Sequence, residues 1–421
     1  MVRRRHAVPA HSPDTTERFL EPQRQDPTDP QAERPRAGSG SQAAVPWLLG
    51  ACCFASIASM RACDTLLPAL AAEFSVTVGR ASRVIFVFAV AYGVFQLCFG
   101  PLGDRYGKLR VIALCALACV IGNGIAFLSP SLDWLVVARI VSGAFAAGIY
   151  PMAMAWVGDS VAYDQRQVAL ARLVSASVLG TLAGQWLSGL IAEWAGWRPT
   201  FALLAGLFLV AGGLLLHAAR GGASPAGTVR QGRRPALLGI LALPSARWLL
   251  AVTAIEGALA FGAIAFMPSL LQRHHAASLS MAGGLTAFYG VGGFVYSRVA
   301  GRLLRRIGEP GLARLGGASL CLGFLAFAYA PGLAWIPAAC ALAGFGFYCL
   351  HNTLQTNATQ MAPSARGAAM ALFACVLFLG QSAGVLAAAW VADHLSDALI
   401  FAIVGPGLLA LSLAAARRFR R

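Results

Sequence analysis

Charge is what this chain lacks. Only 12% of its 421 residues are Asp, Glu, Lys or Arg, about half of the ~25% that a soluble domain carries. Acids are scarcer still, 17 against 33 Lys and Arg. A chain so poor in charge cannot coat a large globular core with a wettable surface, so a soluble fold is excluded. No Gly-Lys-Ser/Thr phosphate loop is present, so ATP is not an expected energy source. No His/Cys cluster has metal-ligand spacing; no metal or cofactor is expected, and His274-His275, in a polar stretch, reads as solvated. The ten cysteines all fall inside apolar runs, where no oxidant reaches a pair, so they read as small apolar fillers and not as a disulfide framework. Nothing suggests an enzyme.

What the chain has instead is apolar length. Hydrophobic residues make up 58% of it, in repeated runs near 20 residues. Twelve spans are expected, at roughly 46–71, 81–102, 109–128, 134–157, 168–192, 199–218, 247–271, 280–302, 311–330, 334–357, 366–391 and 398–416. Residues 1–45, polar and nearly balanced in charge, are expected to be a disordered cytoplasmic tail. They are not a signal peptide, because Arg3-Arg4-Arg5 is followed by no apolar core before Pro46. Two six-helix bundles, 46–218 and 247–416, are expected to flank a cytoplasmic loop at 219–246, in which Leu237–Leu243 could form a short interfacial helix. A basic tail, 417–421, ends the chain.

The net charge of +16 raises the question of nucleic acid, and its distribution answers it. With the N-terminus in the cytoplasm, only Arg80, Arg83, Arg198 and Arg273 face outward, while the long series from Arg105 to Arg421 faces inward. That asymmetry places both termini in the cytoplasm. The positive charge is topology, with attraction to anionic lipid headgroups as a by-product; no nucleic-acid partner is implied.

One short turn organises the rest. Gly100-Pro-Leu-Gly-Asp-Arg-Tyr-Gly-Lys-Leu-Arg110 lies between two apolar runs, and Gly301-Arg-Leu-Leu-Arg-Arg-Ile-Gly308 lies between two others. Gly100, Arg105 and Gly107 match Gly301, Arg306 and Gly308 at one spacing, whereas Asp104 is replaced by Arg305. Further pairs share an offset of 200: Leu66-Leu67-Pro68 with Phe266-Met267-Pro268, Leu179-Gly180-x-x-Ala183-Gly184 with Leu379-Gly380-x-x-Ala383-Gly384, Arg166 with Arg366, and Phe201 with Phe401. The chain reads as two copies of one membrane unit.

The turn resembles the signature loop of the major facilitator superfamily, carried here by Gly100, Leu102, Asp104, Arg105, Gly107 and Lys108. The resemblance implies an all-α polytopic membrane protein: twelve transmembrane helices in two pseudo-symmetric six-helix bundles, the major facilitator fold. It also implies a conformational switch at Gly100, Asp104, Arg105, Gly107 and Lys108, with Arg305 and Arg306 at the repeated turn. Leu135-x-x-x-Arg139-x-x-Ser142-Gly143 resembles the helix-four motif of the same family, whose arginine is associated with proton coupling, with Ser142 in place of Gln. Gly180-x-x-x-Gly184-Gln185-x-x-x-Gly189 resembles the motif of its proton-driven exporters in degraded form, with Gln185 where that motif has Pro. Small residues at that spacing also serve close helix packing alone.

Few ionisable residues lie deep in the spans, and each must face protein or a wet cavity. They are Arg61 and Asp64 in span 1, Arg139 in span 4, Glu256 in span 7 and His351 in span 10, on the four helices that line the family's central cavity. A rise of 1.5 Å per residue puts Asp64 about 10 Å and Arg139 about 8 Å from the outer face, so an Arg61–Asp64–Arg139 cluster is expected. It would exchange a proton or bind substrate, or else only fix packing. Glu256, roughly 14 Å from the inner face with no base on its own helix, is the better proton carrier. His351 could partner Glu256, but a hydrogen-bonded packing role is the simpler reading. Tyr92 and Gln96 share a face of span 2 and line a mixed pocket or simply pack. The expectation is a monomeric secondary transporter of a bacterial inner membrane, resembling the twelve-helix drug–proton antiporter group. It would export a small organic or amphipathic compound against protons by alternating access. The alternatives are proton-linked uptake or exchange of an organic anion, suggested by Arg61 and Arg139, and a non-transporting receptor on the same scaffold.

Overall fold

The computed structural model describes residues 39–221 and 237–419; residues 1–38, residues 222–236 of the loop expected at 219–246, and Arg420-Arg421 lie outside them. The described chain is helical throughout, with short turns. The helices are α1 (Ser39–Glu73), α2 (Val78–Tyr106), α3 (Lys108–Phe127), α4 (Leu132–Ser160), α5 (Tyr163–Ala195) and α6 (Arg198–Gly221). A short helix, Leu237–Ala242, leads into α7 (Pro244–His275). Two helices follow within Leu279–Ala328: α8, 279–307, and α9, 309–328, divided at Gly308 (φ 64°, ψ −179°). The fold closes with α10 (Ile336–Gln360), α11 (Arg366–His394) and α12 (Asp397–Arg418). Among the described residues, eleven segments are long and apolar enough to cross a membrane, and the Gly308 break makes them twelve. α1 starts at Ser39, so residues 39–45 of the tail expected at 1–45 are helical; the rest of it lies outside the described residues.

The duplication is visible in the backbone. Gly107 (φ 88°) makes the same positive-φ turn between α2 and α3 that Gly308 makes between α8 and α9, a conformation open to glycine and strained for other residues. A side chain at Gly180 would strike the Phe54 carbonyl, and one at Gly380 the Ala254 carbonyl. Gly184 lies against the Ala58 carbonyl as Gly384 lies against that of Ala258. Both partners in each contact keep the offset of 200, so α1 packs on α5 as α7 packs on α11, through backbone contact that only glycine permits. Between α2 and α4 the offset is 201: Gly143 backs onto the Phe88 carbonyl and Gly344 onto that of Tyr289. One residue gained before the signature turn is lost again before Arg366. All ten cysteines are free thiols, and only Cys98 is exposed.

With an even number of spans, both termini of residues 39–419 lie at one face, the terminal face; the other is the far face. The repeats meet along α2 against α11 and α5 against α8. Gly93 lies against the Cys375 carbonyl, and the Tyr92 and Phe378 rings are 4.3 Å apart. Above them Ser382 Oγ donates to the Phe86 carbonyl at 3.4 Å. On the other seam Gly283 abuts the Gln185 carbonyl and Gly189 that of Leu279. These bridging contacts run from mid-span to the far face, which is the closed end.

Candidate functional site

Two buried acid–base contacts involve the first helix of each repeat. On α1, Arg61 Nη2 is 2.6 Å from Asp64 Oδ2, one turn along the same helix. Asp64 is fully buried and Arg61 is 5% exposed. Gln185 of α5 donates its amide to the same Asp64 oxygen at 3.4 Å. The next residue, Thr65, donates to the Gln185 carbonyl at 2.9 Å and accepts at its own carbonyl from Gln272 of α7 at 3.2 Å. The Asp64 pair is therefore built into the point where α1, α5, α7 and α8 meet at the closed seam.

On α7, Glu256 is fully buried, and its Oε2 lies 3.1 Å from Nδ1 of His351 on α10. His351 makes both of the contacts expected of it as alternatives: its ring stacks on Phe347 (5.0 Å, 12°), and it also meets Glu256. Phe373 and, through Phe347, Phe261 and Tyr289 complete an aromatic wall. Tyr289 of α8 lies within electrostatic range of both Glu256 and Arg61, and Tyr348 of α10 within range of Arg61. The position of α1 that corresponds to Glu256 is Ser56. Glu256 is thus eight residues, about 12 Å, closer to the terminal face than Asp64. His351 is the more accessible member, 14% exposed.

Arg139 is held by other partners. It donates to the Ser59 carbonyl at 2.9 Å and to Ser59 Oγ at 3.4 Å, and its guanidinium lies 4.1 Å above the Phe88 ring. Ser59 in turn reaches Asn123 of α3. Arg139 stays within electrostatic range of Asp64 but makes no direct ion pair with it. Arg61, one turn away on the same helix, already takes that carboxylate, and the Phe88 face and Ser59 carbonyl hold Arg139 inside the first repeat. Tyr92 is committed to the α2–α11 seam through Phe378, and Gln96 is buried with its Oε1 unpartnered.

At the signature turn Lys108 reaches both Asp159, at the end of α4, at 2.6 Å and Asp104 at 3.2 Å. Arg105 lies 5.2 Å over the Tyr106 ring. In the repeated turn, Arg305 and Arg306 are followed by Glu309, which accepts from Asn357 of α10 at 2.9 Å. The turn tethers to the following even-numbered helix in both repeats.

Asp64 Oδ1, Gln185 Oε1, Glu256 Oε1 and Tyr289 Oη are buried without a hydrogen-bond partner. Orphaned polar atoms cost about 1–3 kcal/mol each and mark sites kept for something other than stability. Gln185 and Tyr289 were not expected as site residues. The signal for Gln185 was in view: a glutamine inside a small-residue packing motif. Tyr289 carried none, because an apolar helix explains a tyrosine adequately.

The profile of the Major Facilitator Superfamily matches residues 49–385. The chain belongs to this superfamily. It is a membrane transporter and not an enzyme. The chloramphenicol resistance protein of Streptomyces lividans is 30% identical over 363 residues, 84% of this chain and 91% of that protein. The multi-drug resistance efflux pump PmrA of Streptococcus pneumoniae is 36% identical over 136 residues, 32% of this chain. That match spans about a third of the pump's own length (33%). Among solved structures, the nucleoside transporter NupG superposes with a TM-score of 0.71 at 13% identity, over 90% of this chain and 99% of that one. A bacterial homologue of the lysosomal transporter Spinster, in an inward-facing and unoccupied conformation, gives 0.68 at 16% identity, over 90% of this chain and 96% of that one. At these identities the likeness concerns the fold alone.

Proposed function

We propose that this transporter exports a small amphipathic organic compound across a bacterial inner membrane in exchange for protons, as a monomer with both termini cytoplasmic. The observation that carries the reading is a matched pair of carboxylates. Asp64 on α1 and Glu256 on α7 are each wholly buried, with one oxygen on a base and the other unpartnered. A buried acid that keeps a free oxygen can take up a proton where a fully ligated one cannot. Glu256 with His351 is the proton-exchanging pair, since His351 is the accessible member and both sit toward the terminal face. The Phe347, Phe373 and Tyr289 rings suit an apolar or aromatic body carrying a polar head. The names of the chloramphenicol resistance protein and of PmrA support export, in that direction and for that kind of compound.

Uptake of an organic anion needs spare positive charge. Arg61 is paired with Asp64, and Arg139 is held by Ser59 and Phe88, so the two arginines that suggested that reading are both engaged. The test is proton flux in proteoliposomes holding a pH-sensitive dye, challenged with chloramphenicol and a panel of cationic and anionic drugs. Proton release coupled to drug entry into inside-out vesicles is expected, and Glu256→Gln should abolish it while drug binding survives. Flux coupled only to anions would replace export with anion transport. Binding without any flux would favour the receptor.

A further inference from the structure

We propose that Glu193 and Asp393 form a reciprocal pair of latches that hold the far face shut, and that both must release in each transport cycle. Glu193 is in the last turn of α5. Its Oε1 accepts from the backbone N–H of Ser280 at 2.8 Å and its Oε2 from the Ser280 hydroxyl at 2.7 Å, on the first turn of α8 in the other repeat. Asp393 is in the last turn of α11. Its Oδ1 accepts from the Gly79 N–H at 3.0 Å and its Oδ2 from the Thr77 hydroxyl at 2.6 Å, at the start of α2. The two carboxylates are 200 residues apart, and Gly79 and Ser280 are 201 apart, the offsets already found for those helices. Each half thus reaches across and caps a helix of the other.

The physics of the contact suits a latch. First-turn N–H groups have no partner within their helix, and the helix dipole favours an anion there. Both carboxylates are exposed, so water can take over their hydrogen bonds when the seam parts, and release does not strand a buried charge. The close approach is also built into the backbone. A side chain at Gly79 would strike the Asp393 carboxylate and the Ala389 carbonyl, and one at Gly189 would strike the Leu279 carbonyl. Opening the far face must separate α5 from α8 and α2 from α11, which breaks all four hydrogen bonds. The inference does not depend on which compound is moved or on proton coupling.

Leu128 and Tyr329, at the far-face turns after α3 and α9, are 74% and 68% exposed and clear of the latches. Spin labels at Leu128→Cys and Tyr329→Cys, in a Cys98→Ser background that leaves only buried native thiols, report the far-face width in nanodiscs. Glu193→Gln with Asp393→Asn should raise the ratio of far-open to far-closed distances roughly tenfold, and each single change by about the square root of that. An unchanged distance distribution, whether or not thermal stability falls, would overturn the proposal. The converse test uses Glu193→Cys with Ser280→Cys joined by a short bis-methanethiosulfonate, which links both thiols through cleavable disulfides. Drug transport should stop and return on reduction; transport that continues in fully bridged protein would also overturn it.

Discussion

The two repeats share a backbone and disagree about charge. At the far face Glu73 of α1 accepts from Trp197 and Arg198 at the start of α6. At the corresponding place Arg273 of α7 donates to Asp397 at the start of α12. The link is the same and its polarity is inverted. At the signature turns Asp104 and Lys108 become Arg305 and Glu309, and each repeat still ties its turn to the end of its fourth helix. The glycine contacts inside each repeat behave oppositely: Gly180, Gly184 and Gly143 are copied as Gly380, Gly384 and Gly344 against matching carbonyls. The glycines at the seams between repeats are not copied, since Phe294, Ser82 and Ala389 stand at the counterparts of Gly93, Gly283 and Gly189. Close backbone contact within a repeat tolerates no side chain, whereas an ion pair works equally well with its partners exchanged. The site follows from the same freedom. The first repeat places its acid and base on one helix, sealed under the far seam. The second places them on two helices, about 12 Å nearer the terminal face. Both carboxylates are wholly buried, and the one nearer the terminal face has a partly exposed partner in His351.

The ion pairs give the sharpest way to test this difference. Arg61 is a permanent cation, and Arg61→Ala strands Asp64 in a dry interior at a cost of about 3 kcal/mol. The loss should appear as a large drop in thermal unfolding temperature in detergent, largely recovered in the double variant with Asp64→Asn. His351→Ala removes a group that need not be charged, so it should cost about 1 kcal/mol while abolishing proton flux. Equal destabilisation by the two changes would make Glu256–His351 a fixed ion pair and remove the contrast between the repeats. Next in size are the glycines. Gly184→Val and Gly384→Val each drive a side chain into a backbone carbonyl, of Ala58 and Ala258 respectively. Each should lower stability by about 2 kcal/mol, seen as loss of a monodisperse peak in size-exclusion chromatography. A variant that folds normally would show that its repeat does not depend on that contact.

The scaffold was legible because its determinants are local. Twelve apolar runs, Gly107 and Gly308 in matching turns and the offset of 200 are all properties of the string itself. The site was half legible. Depth counting found Arg61, Asp64, Glu256 and His351, since a charge inside an apolar run is conspicuous. It mispaired Arg139, because rise per residue gives height in the membrane and not the direction in which a side chain points around its helix. That direction takes Arg139 to Ser59 and the Phe88 ring. Gln185 was seen only as a departure from a packing motif, since its meeting with Asp64 depends on the α1–α5 crossing.

The smallest effect expected lies at the far-face pairs, and it separates geometry from burial. The two links are equivalent by position, yet Asp397 is 3% exposed and Glu73 39%. Charge pairs open to solvent contribute about 0–1 kcal/mol, while a buried carboxylate that loses its arginine costs more, even with His274 3.6 Å from its other oxygen. Arg273→Ala should therefore destabilise by about 1–2 kcal/mol and Arg198→Ala by about 0.5 kcal/mol, read as paired shifts in unfolding temperature under one detergent condition. Raising salt should shrink the Arg198 effect and leave most of the Arg273 effect, because screening acts on solvated charge. If both effects shrink alike, Asp397 is hydrated in the membrane-embedded protein and the two ends of the duplication are electrostatically equivalent. If only one does, inverting the polarity also buried the acid, and the second repeat has its first and last helices more firmly joined than the first repeat does.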